Sequence, residues 1–151
     1  MALTKVSEAG YNLTATKFPA SSIIQVITKS VTSDGGTGTQ YVIDEDITPT
    51  DNNNKILVIG HTNVYNPSSN ICVVDLYRGS TFLSRSSISS SGDDNVNNSA
   101  TPIFLDDPQT TSATTYKVRG VQLSGVGSPK WNHVNSSSTG MTSITLIEVV
   151  V

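Results

Sequence analysis

Side chains able to do chemistry are few and scattered in this chain. His61 and His133 are its two histidines and Cys72 its single cysteine. A zinc site takes about three or four ligands, and these positions would reach that number only through a chance meeting with carboxylates. Cys72 sits inside the apolar run Ile71-Cys-Val-Val and reads as a small buried hydrophobe, and a lone cysteine excludes an intramolecular disulfide. The acidic groups Asp44-Glu-Asp46, Asp93-Asp94 and Asp106-Asp107 offer oxygen ligands. None has the spacing of a calcium loop, and adjacent acids in turns ordinarily face water. Glycoside hydrolysis needs two carboxyls at a set separation, which no pair here displays in sequence. Gly35-Gly-Thr-Gly38 lacks the Lys and Ser or Thr order of a phosphate loop and reads as a turn. No catalytic, cofactor or metal constellation emerges, so a non-enzymatic protein is expected.

Ligand contact is the chemistry left. Trp131, His133 and Tyr65, with Asn-rich segments nearby, could stack on and hydrogen-bond a host surface glycan; the competing reading puts Trp131 in the core or a subunit interface. Three Asn-X-Ser/Thr triplets, at Asn12, Asn97 and Asn135, follow from a Ser, Thr and Asn-rich composition. Nine Lys and Arg against twelve Asp and Glu give a net charge of -3 without a basic stripe, so neither nucleic acid nor an anionic membrane is an expected partner. No apolar run reaches the roughly 18 residues of a membrane span, and the opening segment lacks the layout of a secretory signal. Synthesis and folding in a cytoplasm are expected.

The elements that must position these residues are short strands. The chain's 151 residues suit one domain with its own core. Ile23 to Val31, Thr39 to Ile43, Lys55 to Tyr65, Ile71 to Tyr77, Thr81 to Ile88, Thr101 to Leu105, Thr114 to Leu123, Lys130 to Val134 and the last ten residues are β-branched or alternating, and turn residues separate them. The spacing predicts a meander through the third, fourth and fifth strands and a long surface loop over residues 86–100. Tyr116 and Val118 should face the core, with Lys117 and Arg119 opposite. Such a pattern predicts an all-β antiparallel sandwich or jelly roll. Ile59, Val73 and Val149 fall on the face away from the core, which predicts burial there by subunit contacts or crossing loops. In the final strand Ile144, Leu146 and Glu148 share one face and Thr145, Ile147 and Val149 the other, so that strand should be central, with a partner or water for Glu148.

Four segments in order, Asn54-Lys-Ile-Leu-Val58, Leu76-Tyr-Arg-Gly-Ser-Thr81, Asp106 to Val118 and Ser143 to Val149, resemble the head module of virion structural proteins of tailed bacteriophages, particularly those of marine and cyanobacterial hosts. Leu3-Thr-Lys-Val6 is similar to the opening of many fibre proteins of this kind. The resemblance spans roughly residues 22–151. It implies a compact jelly roll like that of tumour necrosis factor, usually a homotrimer, exposed on a virion, and it supplies no catalytic residue. Residues 1–21 are expected to be an extended anchoring arm and 22–151 the head domain. The arm carries no heptads or shaft repeats, and about twenty residues reach at most about 65 to 70 Å. The head is therefore expected to sit directly on its platform, which favours a capsid decoration or cement protein on the major capsid protein. A tail-fibre or tail-knob head on a tail platform protein, binding host glycan, is the alternative.

Overall fold

The computed structural model describes residues 20–67, 70–89, 96–125 and 127–151. Most of the expected arm, and Asp93-Asp94, lie outside the described residues. Ten strands run in the order β1 (Ile23–Val31), β2 (Gln40–Ile47), β3 (Lys55–Asn66), β4 (Ile71–Arg78), β5 (Thr81–Ser89), β6 (Val96–Ala100), β7 (Ile103–Asp106), β8 (Thr114–Ser124), β9 (Lys130–Trp131) and β10 (Thr142–Val149). They form two antiparallel sheets, with β1-β10-β3-β6 in sheet A and β2-β8-β4-β5 in sheet B.

Sheet A is organised by β3, the longest strand, whose burial alternates at every residue. Along one edge β3 pairs first with β10, Lys55 opposite Val149 through Thr62 opposite Thr142, and then with β9, Val64 opposite Trp131. Along the other it pairs with β7 over Ile56 to Ile59 and with β6 over Thr62 to Asn66. Thus β6 and β7 are one edge strand broken at Thr101-Pro102, where proline cannot donate to the ladder; Gly60 N–H instead reaches the Pro102 carbonyl at 3.0 Å. With β6 and β7 counted as one strand and β9 as an annex to β10, the first, last, third and sixth strands share one sheet and the second, seventh, fourth and fifth the other. That interleaving is the jelly-roll topology expected from the sequence. The final strand is central, flanked by β1 and β3.

Two expectations are corrected. Residues 96–100 are strand β6, because their backbone pairs in antiparallel register with Thr62 to Asn66 of β3 even though the segment is polar. The meander is not formed: β3 belongs to sheet A while β4 and β5 pair in sheet B, so the turn after β3 carries the chain between sheets.

Between the sheets lies a core that includes Ile43, Ile47, Ile56, Val58, Val64, Cys72, Val74, Leu76, Tyr116, Val118, Trp131, Ile144 and Leu146. Tyr116 and Val118 face it as expected. Burial pushes the Cys72 thiol up to about 11, the behaviour of an inert core residue. Trp131 closes one end: its ring lies so near Gly120 that a Cβ there would stand 2.2 Å from Cε2. Its indole N–H donates to the Gly38 carbonyl, and its backbone N–H donates to Gly36 O at 2.9 Å. The Gly-rich segment after β1 is thus the seat of a tryptophan.

Polar joints fix the two sheets. Tyr116 Oη on β8 donates to Asp106 Oδ2 at the end of β7 at 2.7 Å, and Arg78 Nη1 on β4 donates to the same oxygen at 2.8 Å. Burial and then the neighbouring Asp106 carboxylate raise the Tyr116 pKa, so the phenol stays a donor. Glu148 is fully buried on β10. Its Oε1 accepts from Thr50 N–H at 2.7 Å, Thr50 Oγ1 at 2.8 Å and Asn54 Nδ2 at 2.7 Å, and its Oε2 from Gln25 Nε2 at 2.6 Å. Burial pushes the pKa of this carboxyl up, but bonds from Asn54, Gln25 and Thr50 outweigh it and the net shift is downward. Glu148 therefore holds the turn before β3 onto the end of sheet A.

Candidate functional site

A sandwich of this topology offers two open sheet faces, and they differ in chemistry. On the outer face of sheet A, cross-strand register lines up Val26, Ile147, Leu57 and Leu105 across β1, β10, β3 and β7. The next row holds Thr28, Thr145, Ile59 and Ile103, and Ile23 with Val149 extends the patch toward the end of β10. Ile23, Val26, Ile103 and Leu105 are at least half exposed, while Leu57, Ile59, Ile147 and Val149 between them are partly covered. Charge enters at the margin through Lys55, and His61 Nδ1 lies 3.1 Å from Thr101 Oγ1. Ile59 and Val149 thus occupy the outward positions assigned to them. Isolated surface aliphatics need no explanation, but eight on one sheet face form a continuous apolar patch.

The outer face of sheet B carries an aromatic and cationic cluster, with exposed Asp44 and Asp46 beside it on β2 and exposed Ile71 and Leu123 at the far end of β4 and β8. Tyr41 on β2, Tyr77 on β4 and Phe82 on β5 stand edge to face, with centroids 6.0 Å apart for the first pair and 5.8 Å for the second and interplanar angles of 83° and 78°. Lys117 Nζ lies 4.9 Å from the Tyr41 centroid. The Arg119 guanidinium carbon lies 5.6 Å from Tyr41 and 5.7 Å from Tyr77, and Nη1 donates to Tyr77 Oη at 3.2 Å. Arg85 stands over Phe82 at 5.5 Å and grips the fully buried Asp75 with two bonds, Nε to Oδ1 at 2.7 Å and Nη2 to Oδ2 at 2.9 Å. That fork neutralises Asp75 and fixes the plane of Arg85. Among the described ion pairs, neither Lys117 nor Arg119 meets a carboxylate; Asp44, opposite Lys117 in register, turns instead to Lys29 at 3.7 Å. Tyr41 and Phe82 are each about half exposed.

The three residues singled out as ligand contacts are spread over different environments. Trp131 lies in the core, as the competing reading has it, fully buried with its ring in the space over Gly120, and it cannot stack on a ligand from there. His133 is buried too; its Nε2 lies 3.1 Å from Asp34 Oδ1 and its Nδ1 3.3 Å from the Asn135 carbonyl. Tyr65 is half-buried and points outward on β3 opposite Asn97. Close to it in register is a hollow of about 300 Å³ lined by Asn63, Asn97, Asn98, Ser99 and Val134. Among the described residues no group of three or more His, Cys, Asp or Glu side chains could hold a metal ion. Asp106 is spent on Arg78 and Tyr116.

The aromatic and cationic cluster is not among the expectations from the sequence. Its signal was the alternation of β8, which places Lys117 and Arg119 away from the core, but Tyr41, Tyr77 and Phe82 meet them only through the register of three other strands.

No protein-family model matches this chain, and no curated protein matches it. Among solved structures, it is similar to a chain in a structure of infectious bursal disease virus Gx strain, with a TM-score of 0.43 and 11% identity over 85% of this chain and 43% of that one. This chain thus spans less than half the length of that one. The fold assignment rests on the strand order above, not on this likeness.

Proposed function

We propose that this chain is a non-enzymatic structural protein of a virion surface, a capsid decoration protein of a tailed phage that works as a homotrimer. Residues 1–21 serve as the arm that binds the major capsid protein, and residues 22–151 as the displayed head. The phage assignment draws on the four ordered segments that resemble phage head modules. The observation that carries self-assembly is the aliphatic patch on the outer face of sheet A. Nearly free of charge, it complements a second copy of itself better than any charged partner. Full burial of an aliphatic side chain contributes about 1.5 to 3 kcal/mol, so covering the four half-exposed ones would contribute about 3 to 6 kcal/mol per subunit. Sheet B then points away from the assembly.

Light scattering should give three times the monomer mass for the unaltered chain. Ile103→Lys with Leu105→Lys, on an exposed edge strand, should give a folded monomer. A monomer mass from the unaltered chain at micromolar concentration overturns the trimer. A cryo-EM map of the native particle tests the location: a decoration protein occupies many symmetry-related capsid positions.

A second reading, a tail-fibre or tail-knob receptor-binding head, is favoured by the aromatic and cationic face of sheet B. It predicts few copies per particle and blocked adsorption when the free protein is added to host cells.

A further inference from the structure

We infer that the outer face of sheet B is a binding platform for a carboxylated polysaccharide, built from Tyr41, Tyr77, Phe82, Lys117 and Arg119 with Arg85 as a fixed wall. The inference deepens the receptor-binding reading. It nevertheless rests on this face alone, so a monomeric chain or a capsid location leaves it standing. Three observations carry it. The first is charge: in a chain of net charge -3, Lys117 and Arg119 project from one strand without a described carboxylate partner. Two residues apart on β8, they emerge on the same face about 7 Å apart, which suits a polymer with repeated anionic groups. A guanidinium engages a carboxylate through two parallel bonds, and Arg119 spends one N–H on Tyr77 Oη at 3.2 Å and keeps the rest.

The second observation is apolar surface beside that charge. Tyr41 and Phe82 stand on the two edge strands of the sheet, each about half exposed. Exposed aromatic rings bury well against the C–H face of a sugar ring while cations beside them hold its carboxylate. The third separates a sugar polymer from a single-stranded nucleic acid, which also uses cations and aromatic rings. Successive bases need open ring faces in a row. Here neighbouring rings stand at 83° and 78°, and each carries a cation near it, at 4.9 to 5.7 Å from its centroid. Single sugar rings can seat in such a corrugated surface, whereas a stacked run of bases cannot. Asp75 does not repel the ligand, because Arg85 already covers it with two bonds.

The test is calorimetric titration of the full chain with short oligogalacturonate, with maltohexaose as the neutral control and oligothymidylate as the nucleic-acid control. Saturable binding of oligogalacturonate is expected, weakened as salt rises, with maltohexaose inert and oligothymidylate weaker. Lys117→Gln with Arg119→Gln should lower the affinity at least about tenfold and remove most of the salt dependence. Tyr41→Ser, at an edge-strand position, should weaken binding with the salt dependence intact. Absence of saturable binding by the unaltered chain overturns the inference. So does binding unchanged in both variants while their thermal unfolding matches the unaltered chain, and so does tighter binding of oligothymidylate. Adsorption assays with the same variants separate this from the receptor reading: loss of oligogalacturonate binding with adsorption unchanged retains the platform and removes its role in host attachment.

Discussion

Replacing Glu148 probes the fold where burial and polarity conflict most directly. The carboxylate is fully buried, has four donors on it, and joins β10 and β1 to the turn before β3. In Glu148→Ala the Asn54 amide, the Thr50 backbone N–H and the Gln25 amide lose their common acceptor. Each buried donor left unsatisfied costs about 1 to 3 kcal/mol. Thr50 is exposed, so water compensates part of that loss, and a net cost of about 3 to 5 kcal/mol is expected. In Glu148→Gln the amide oxygen keeps the three donors on the Oε1 side, but its NH2 faces the Gln25 NH2. Gln25 can turn over to accept only by giving up its 2.8 Å bond to the Thr48 carbonyl. One or two hydrogen bonds are lost at about 0.5 to 1.5 kcal/mol each, so Glu148→Gln should cost about 0.5 to 3 kcal/mol.

Acid makes the same experiment more specific. The folded-state pKa of Glu148 lies below the ordinary value. Its ionisation therefore contributes stability that is present in full above the unfolded pKa of about 4.3 and is lost as pH falls through the lower folded value. Urea unfolding at fixed protein concentration, at pH 7 and in steps downward from about 4.5, should show the gap between the unaltered chain and Glu148→Gln shrinking toward acid. The reasoning is refuted if Glu148→Ala lies within about 1 kcal/mol of the unaltered chain, or if the gap is the same at every pH.

Three further outcomes follow from the packing. Gly120→Ala places a Cβ 2.2 Å from Trp131 Cε2, so it should destabilise by about 1 to 3 kcal/mol or more and shift the emission of this single tryptophan; unchanged fluorescence and stability would show that Trp131 does not fill that space. Tyr116→Phe removes the 2.7 Å bond between sheets while Arg78 stays on Asp106, and a loss of about 1 to 2 kcal/mol in chemical unfolding is expected. Cys72, buried and with its thiol at about 11, should resist alkylation at pH 8 in the native protein and react at once in denaturant; rapid native labelling would contradict its place in the core.

Period-two alternation made most of the strands and the inward faces of β8 and β10 legible in the sequence, because burial on one side of a strand is written locally. Partner choice is not local. The predicted meander joined strands by proximity in sequence, whereas the chain crosses between sheets after β3, as jelly-roll strands do. The segment Val96 to Ala100 reads as loop in the sequence because it has little to bury. Its place is set by the free edge of β3, which accepts any backbone in register. Trp131 illustrates the same limit: a tryptophan beside polar loops resembles a binding residue until Gly120, eleven positions earlier, is seen to leave room for its ring.

The two faces of the sandwich bear on each other through the registers that build them. In sheet A the outward rows around Leu57 and Ile59 are mostly aliphatic, whereas Arg85, Lys117 and Arg119 stand with three aromatic rings on the outer face of sheet B. A like arrangement on both faces would give the chain either two sticky surfaces or none. In the proposed assembly sister copies close the aliphatic face, and Lys117 and Arg119 keep the aromatic cluster of sheet B hydrated against heterologous growth through a second face. A substitution that carries this contrast away, such as Lys117→Leu with Arg119→Leu, should therefore turn the proposed closed assembly into one that grows with concentration. Sedimentation over a concentration series checks it: constant size in the double leucine variant would show that the charge on sheet B does not limit assembly.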